Sequence, residues 1–397
     1  MKLFRGGHLC IAAAFAVLVF EGASGFDQNQ QNVPLFATVK NTGEGFQASA
    51  ALPESVMTTK HLLHQRGGSS SSVVALPKVD HRTQQASKQK EEDKLTPLQT
   101  TLLKLSKGWT ACTYPIFAFL CLLPLICGYS VKDMAAAWYC PVFSIIAATL
   151  PSGGAPVAGG IVLFPALKRA GLQTKQAVAY CAAAQMIGCG VFAPLNWAAA
   201  AGPRVLLGDV VPWALLPGVI GAVAALLLVP LDSRKIELFF AHFCVLLAGY
   251  VVHGLSHDLT TNNEPVKLSN KTKGMFATAS FVGGLITGWI GIGIEKILFV
   301  MLTSYPCKTD VKKACLTSIS IVGWVSLFAT LVHAFILKDV PVLFWLMCLP
   351  GGFIGSKIGP KINRKLGPKN IMKVFTVLLL ADSGPKVVKT WKSVFFS

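Results

Sequence analysis

Charge is scarce in this chain: Asp, Glu, Lys and Arg make up 14% of its 397 residues, and 53% of residues are hydrophobic. So little polar material cannot clothe one soluble domain of this length. Catalytic signatures are missing too. There is no His-Glu-x-x-His pair, no paired histidine cluster, no nucleophile elbow and no phosphate loop. An intramembrane enzyme therefore has no recognisable reacting group, and no cofactor is indicated. Eleven cysteines are present, but neither Cys-x-x-Cys nor a Cys/His metal spacing occurs. Cys112, Cys121, Cys127, Cys140, Cys181, Cys189, Cys244, Cys315 and Cys348 fall in or beside apolar runs, where thiols act as small packing groups. Acidic residues are also few, 18 against 36 basic, for a net charge of +18. The basic residues lie between apolar runs rather than in one patch, which argues against nucleic-acid binding.

What is present is long apolar sequence. Residues 1–25 read as a signal or targeting leader: Lys2 and Arg5, an apolar run from Leu9 to Phe20, then Ala23-Ser24-Gly25. Residues 26–108 are polar, with a serine run at 69–72 and mixed charge from Lys88 to Lys94. They hold too little apolar surface to offset their ordering entropy and read as disordered. From Trp109 onward, apolar stretches at about 109–129, 134–167, 177–200, 211–231, 236–254, 275–304, 314–336, 340–359 and 371–390 approach or exceed the roughly 20 residues a span needs. The expected architecture is an all-α membrane protein of about nine transmembrane helices: an extra helix at 109–133, one repeat at 134–255, a loop at 256–273 and a second repeat at 274–397. Asp382 and Lys386, four apart in the ninth stretch, either pair on one helix face or mark its end.

The duplication rests on matches at an offset of 135. Ile161-Val162-Leu163-Phe164 corresponds to Lys296-Ile297-Leu298-Phe299, Gly153 to Gly288, Ala179 to Ala314, Ile236 to Ile371 and Phe240 to Phe375. The second and sixth stretches are too long for one span, and both carry interruptions, at Ser152-Gly153-Gly154-Ala155-Pro156 and at Gly288 to Gly293. Paired interruptions of this kind mark transporters that bind substrate where two halves meet. Alternate loops are basic (Lys168, Arg169, Lys175; Arg234, Lys235; Lys308, Lys312, Lys313; Lys361, Arg364, Lys365, Lys369). That pattern predicts four crossings per half, halves of parallel orientation and the basic loops on the cytoplasmic side. A leader cleaved in the secretory pathway, bound for that pathway or the plasma membrane, would place those loops in the lumen instead. The leader also resembles the two-part plastid address of algae with secondary plastids, with Phe26 after the cleavage site, and a plastid membrane would remove the conflict.

Gly283-Gly284-Leu285-Ile286-Thr287-Gly288-Trp289-Ile290-Gly291-Ile292-Gly293, followed by Ile297-Leu298-Phe299 and by Ala314-Cys315-Leu316-Thr317-Ser318, resembles the TauE/SafE family. In the first half the corresponding run is Ser152 to Gly160, then Phe164-Pro165 and Ala177-Val178-Ala179. The resemblance covers roughly residues 134 to 385, and it departs from the family where three adjacent glycines are usual. It implies a transporter of a small anion, sulfite, a sulfonate or a related organosulfur anion. An assembly protein using its polar amino-terminal segment is the alternative.

Candidate substrate-binding residues follow from the interruptions: Ser152, Gly153, Gly154, Gly159 and Gly160 in one half, Gly288, Gly291 and Gly293 in the other. Broken helices present half-helix amino-termini and unpaired amides to an anion; the bland alternative is close helix packing. Gln185 and Ser320 match at the repeat offset, and Ser318 lies two residues before Ser320. Glu295 stands in an apolar stretch, where a charge costs about 2.5–3.5 kcal/mol, so it is a candidate for proton coupling. The alternative is that Glu295 and Lys296 snorkel to an interface; being adjacent, they need not pair. Asn196 and His333 read as buried structural polar groups. The oligomeric state is not readable from the sequence.

Overall fold

The computed structural model describes residues 95–395, apart from 156–158, 230, 257–265, 267 and 304–306. The leader, most of the polar segment and most of the expected loop at 256–273 lie outside the described residues. Those described belong to one unit and are helical throughout, with no strand among them.

Helix α1 (Pro97–Ala111) starts twelve residues inside the segment expected to be polar and disordered. Its local cause is a capping box, in which the Thr96 side chain accepts from the Gln99 N–H and Gln99 reaches back to the Thr96 N–H. Its tertiary cause is Leu102, packed with Leu195, Ala198 and Leu206. Helix α2 (Thr113–Ile126) follows at a bend of 78°, so the first expected span is the second arm of an angled pair. A short α3 (Val131–Ala136) leads into α4 (Tyr139–Ser152).

The stretch at 134–167 is broken: α4 stops at Ser152 and α5 (Gly160–Arg169) begins eight residues later. The stretch at 275–304 breaks likewise, into α10 (Asn270–Ile290) and α11 (Ile294–Thr303). At 1.5 Å per residue the ten-residue α5 and α11 are each about 15 Å long, half a bilayer core. Between them lie α6 (Thr174–Ile187), a π-helical turn (Gly188–Phe192) and α7 (Ala193–Ala201), then α8 (Val211–Leu227) and α9 (Ser233–Ser256). After α11 come α12 (Val311–Leu331) with a π-helical end (Val332–Leu337), and α13 (Val342–Phe395), kinked at Gly367 where φ is 71°. Beyond Gly367 the helix runs through 382 and 386 rather than ending at 381; how those two side chains are placed is outside the described residues.

Among the described residues, three helical stretches are long and apolar enough to cross a membrane: Thr174–Ala201, Val311–Leu337 and Val342–Lys365. The α1–α2 pair makes a fourth if counted as one broken span. The count falls short of nine for physical reasons. α4, at 14 residues, and α8, at 17, are apolar but short; α5 and α11 are half-length; α9 carries charged and titratable residues along its length, and α10 opens on Lys271 and Lys273 and is diluted by Gly, Ser and Thr.

Glycine sets how closely the helices approach. On α13, Gly351, Gly355 and Gly359 lie four apart, and a Cβ on each would strike α4, at Pro141 O, Ile145 O and Ser152. The contact of α8 with α10 is built the same way, with Gly221 against Phe281 O and Gly284 against Gly218 O. Backbones this close gain dispersion contacts that larger side chains would forbid, the usual logic of small-residue helix interfaces in membranes.

Candidate functional site

The two breaks come together. A Cβ on Gly160, the first residue of α5, would collide with Ile292 in the other break and lie 3.0 Å from Gln185 Nε2. Gln185 donates from Nε2 to Gly291 O at 2.6 Å, and its Oε1 accepts from Ser326 Oγ at 3.5 Å. One amide on α6 thus ties the second break to α12 while touching the start of α5. The whole constellation is buried.

The second break satisfies its own amides. Gly291, with φ of 75°, ends α10 in the left-handed region where a Cβ is unfavourable, and its N–H bonds Thr287 O at 2.8 Å. The Ile294 N–H donates to Thr287 Oγ1 at 3.0 Å, and the Gly293 N–H donates to Glu295 Oε2 at 2.9 Å. These amides are therefore occupied from within the chain, where the sequence suggested free donors.

Glu295 and Lys296 are 0% and 2% exposed, so neither snorkels, and they do pair: Lys296 Nζ lies 3.0 Å from Glu295 Oε1. The alignment is poor, so the ammonium makes an ion pair but no hydrogen bond. Its other neighbour is the Phe243 ring of α9, 5.0 Å from Nζ, a cation–π contact. The Cys189 thiol of the π turn and the Cys315 thiol of α12 both lie within electrostatic reach of Glu295.

At the first break the Gly159 N–H faces the Cys189 sulfur. Beside it is a cavity of about 30 Å³ lined by Ser144, Gly159, Gln185, Cys189 and Cys348 among others, room for about two waters. Ser144 Oγ is enclosed there without a hydrogen bond of good geometry, although Tyr180 and Cys348 are close by.

Gly159, Gly160, Gln185, Gly291, Gly293 and Glu295 are thus gathered at one place. Ser152, Gly153 and Gly154 sit apart, against α13: Gly153 O accepts from Asn363 Nδ2, a Cβ on Gly154 would strike the same amide, and Ser152 O accepts from Trp197 Nε1 at 2.8 Å. Pro156-Val157-Ala158, between the two groups, lie outside the described residues. Gly288 packs against Ala222 and Ala225 of α8. Ser318 and Ser320 donate to Cys315 O and Leu316 O of their own helix, at 2.9 and 2.8 Å, so both hydroxyl protons are engaged within α12. Asn196 does bridge helices, to Trp109 and Ser356, and His333 pairs with Asp339 at 2.8 Å.

Sequence reasoning missed Cys189, Ser144 and Asn363. Asn363, 2% exposed, stood in a stretch that read as a basic loop, and a serine and a cysteine among apolar residues gave no signal either.

No curated protein and no solved structure matches the chain. The model of the sulfite exporter TauE/SafE family matches residues 142–383, three-fifths of the length and inside the stretch that carries the resemblance. With that match and an all-helical build containing membrane-length apolar helices, the chain belongs to the sulfite exporter TauE/SafE family, membrane proteins that export sulfite and related anions.

Proposed function

We propose that this protein is a secondary transporter of a small organosulfur anion, sulfite or a sulfonate, with proton coupling through Glu295, and that the anion is taken where the two breaks meet. The observation that carries this reading is the convergence of Gly160 and Gly291 on the single side chain Gln185. Two half-length helices whose amino-termini approach one buried point bring two positive dipole ends together without an Arg.

The same reading takes the chain as a duplicated four-helix unit in about nine crossings. Element bounds support it. Shifted by 135, Gly160–Arg169 becomes 295–304, beside Ile294–Thr303, and 211–227 becomes 346–362, within the first arm of α13. The glycine contacts support it as well, since Gly355 on Ile145 O and Gly221 on Phe281 O are counterparts with the halves exchanged.

Flux into proteoliposomes against sulfite, sulfate, thiosulfate, taurine and organic acids tests the proposal. Saturable uptake of a sulfur anion, accelerated by an inward proton gradient, is the expected result. A protein that inserts correctly and moves none of these would overturn it and favour the assembly role, for which removal of residues 26–108 should then be disabling.

A further inference from the structure

The Glu295 carboxylate is an oxyanion tethered to the chain, and its two oxygens face two different groups, one through a hydrogen bond and one through an ion pair. Oε2 takes the Gly293 N–H at 2.9 Å, and Oε1 lies 3.0 Å from Lys296 Nζ. An amide at a half-helix amino-terminus and a buried ammonium are also what a small oxyanion requires. Lys296 Nζ is buried and makes no hydrogen bond, so it has donors to give. We propose that Lys296 Nζ and the Gly293 N–H are the substrate anion's binding pair, and that Glu295 holds them until a proton neutralises it. This rests on the transport reading above and adds to it a cation, a named amide and a stoichiometry.

Charge bookkeeping fixes the stoichiometry. With Glu295 ionised, the pair carries no net charge, and an incoming monoanion would bury one unpaired negative charge. With Glu295 protonated, Lys296 and the monoanion neutralise each other. A buried uncompensated charge is far costlier than a buried pair, so anion and proton bind together and one monoanion travels with one proton. Among the groups that face the pair are the Cys189 thiol from the π turn, the Cys315 thiol from α12 and the Phe243 ring from α9. Of the groups gathered on the pair, the carboxylate is the one that takes the proton in this scheme, because its negative charge is the one the anion replaces. By linkage the sign is fixed: the anion binds more tightly as pH falls.

The test uses the full chain in detergent and thermal unfolding with methanesulfonate, whose charge stays at one across mildly acidic to neutral pH. Wild-type protein should be stabilised more at acidic than at neutral pH. Glu295→Gln should be stabilised equally at both, because the glutamine carries no charge to compete. Lys296→Met alone leaves Glu295 buried without its cation and is expected to fold poorly, so the informative protein is the double variant E295Q/K296M. It should fold, yet need roughly tenfold or more methanesulfonate for the same shift as Glu295→Gln, a loss of about 1.4 kcal/mol. A double variant that responds like Glu295→Gln overturns the proposal. So does a pH-independent response of the wild type, or a Glu295→Gln protein that methanesulfonate does not stabilise. Liposome flux judges transport separately, so flux with any of these results leaves the transporter standing without this binding pair.

Discussion

Gln185 stands in an alanine-rich helix, 2% exposed, with its amide spent on the carbonyl of a residue 106 positions away. Removing it leaves Gly291 O buried without that donor, so Gln185→Leu should cost about 1–3 kcal/mol. Gln185→Glu should cost more, because it adds a negative charge near Glu295. Denaturation of the detergent-purified variants measures both, and a neutral Gln185→Leu would remove this amide from the account of the break. Gly291 meets a different constraint. Its left-handed backbone puts about 1–2 kcal/mol on any substitution with a Cβ, and the Cys181 side chain lies 3.1 Å from where that atom would sit. Gly291→Ala should therefore lower the melting temperature. Gly291→Leu should abolish flux in protein that still inserts, and unchanged flux would reduce this glycine to packing. The glycines and Glu295 were legible in the sequence because glycine interruptions and an intramembrane carboxylate are each rare enough to notice. The pairing of Glu295 with Lys296 was not, because adjacent residues on a regular helix diverge by about 100°, and the sequence does not show that two long side chains at the start of α11 turn toward each other.

The π turn that follows α6 puts Gly190 against Gly323 of α12. A Cβ on Gly190 would sit 3.2 Å from the Gly323 backbone and 3.4 Å from Trp324, whereas one on Gly323 would overlap the Gly190 backbone itself. The two positions should respond unequally. Gly323→Ala forces the helices apart and should cost about 1–3 kcal/mol or more, with Gly190→Ala milder. Equal melting temperatures for the two variants would refute the crossing. The sequence disclosed the breaks because each apolar stretch was longer than a bilayer is thick and contained glycine. It did not disclose either π-helical turn, since one extra residue in a helix leaves no mark on hydropathy. It also set the start of the ordered region at the first apolar residue, 109, while α1 begins at Pro97 through a cap made of Thr96 and Gln99. Hydropathy cannot see a cap.

On the scale of the whole chain, the basic loops at 168–175 and 308–313 should face the same side of the membrane. Maleimide labelling from each face checks this: the native Cys307, half-buried beside the second loop, and a cysteine placed at the exposed Lys175 should react from one side. Reaction from opposite sides would rule out parallel halves. The family and the helical build were readable from the order of the motifs, because repeated weak signals in one order add up. The number of crossings was not, because a broken helix and two half-length pieces have the same composition as a span. The glycine contacts described above carry one more consequence. The first helix of each half rests on the third helix of the other, α4 on α13 and α10 on α8, so neither half owns a complete interior. Residues 95–255 and 268–397, made as separate polypeptides, should each be degraded when produced alone and recover a functional carrier when produced together. On the duplication proposed above, a lone ancestor of one half, facing the same shortage, would have had to clasp a second copy of itself, and fusion of the two genes would then have made a permanent couple of what had been a homodimer.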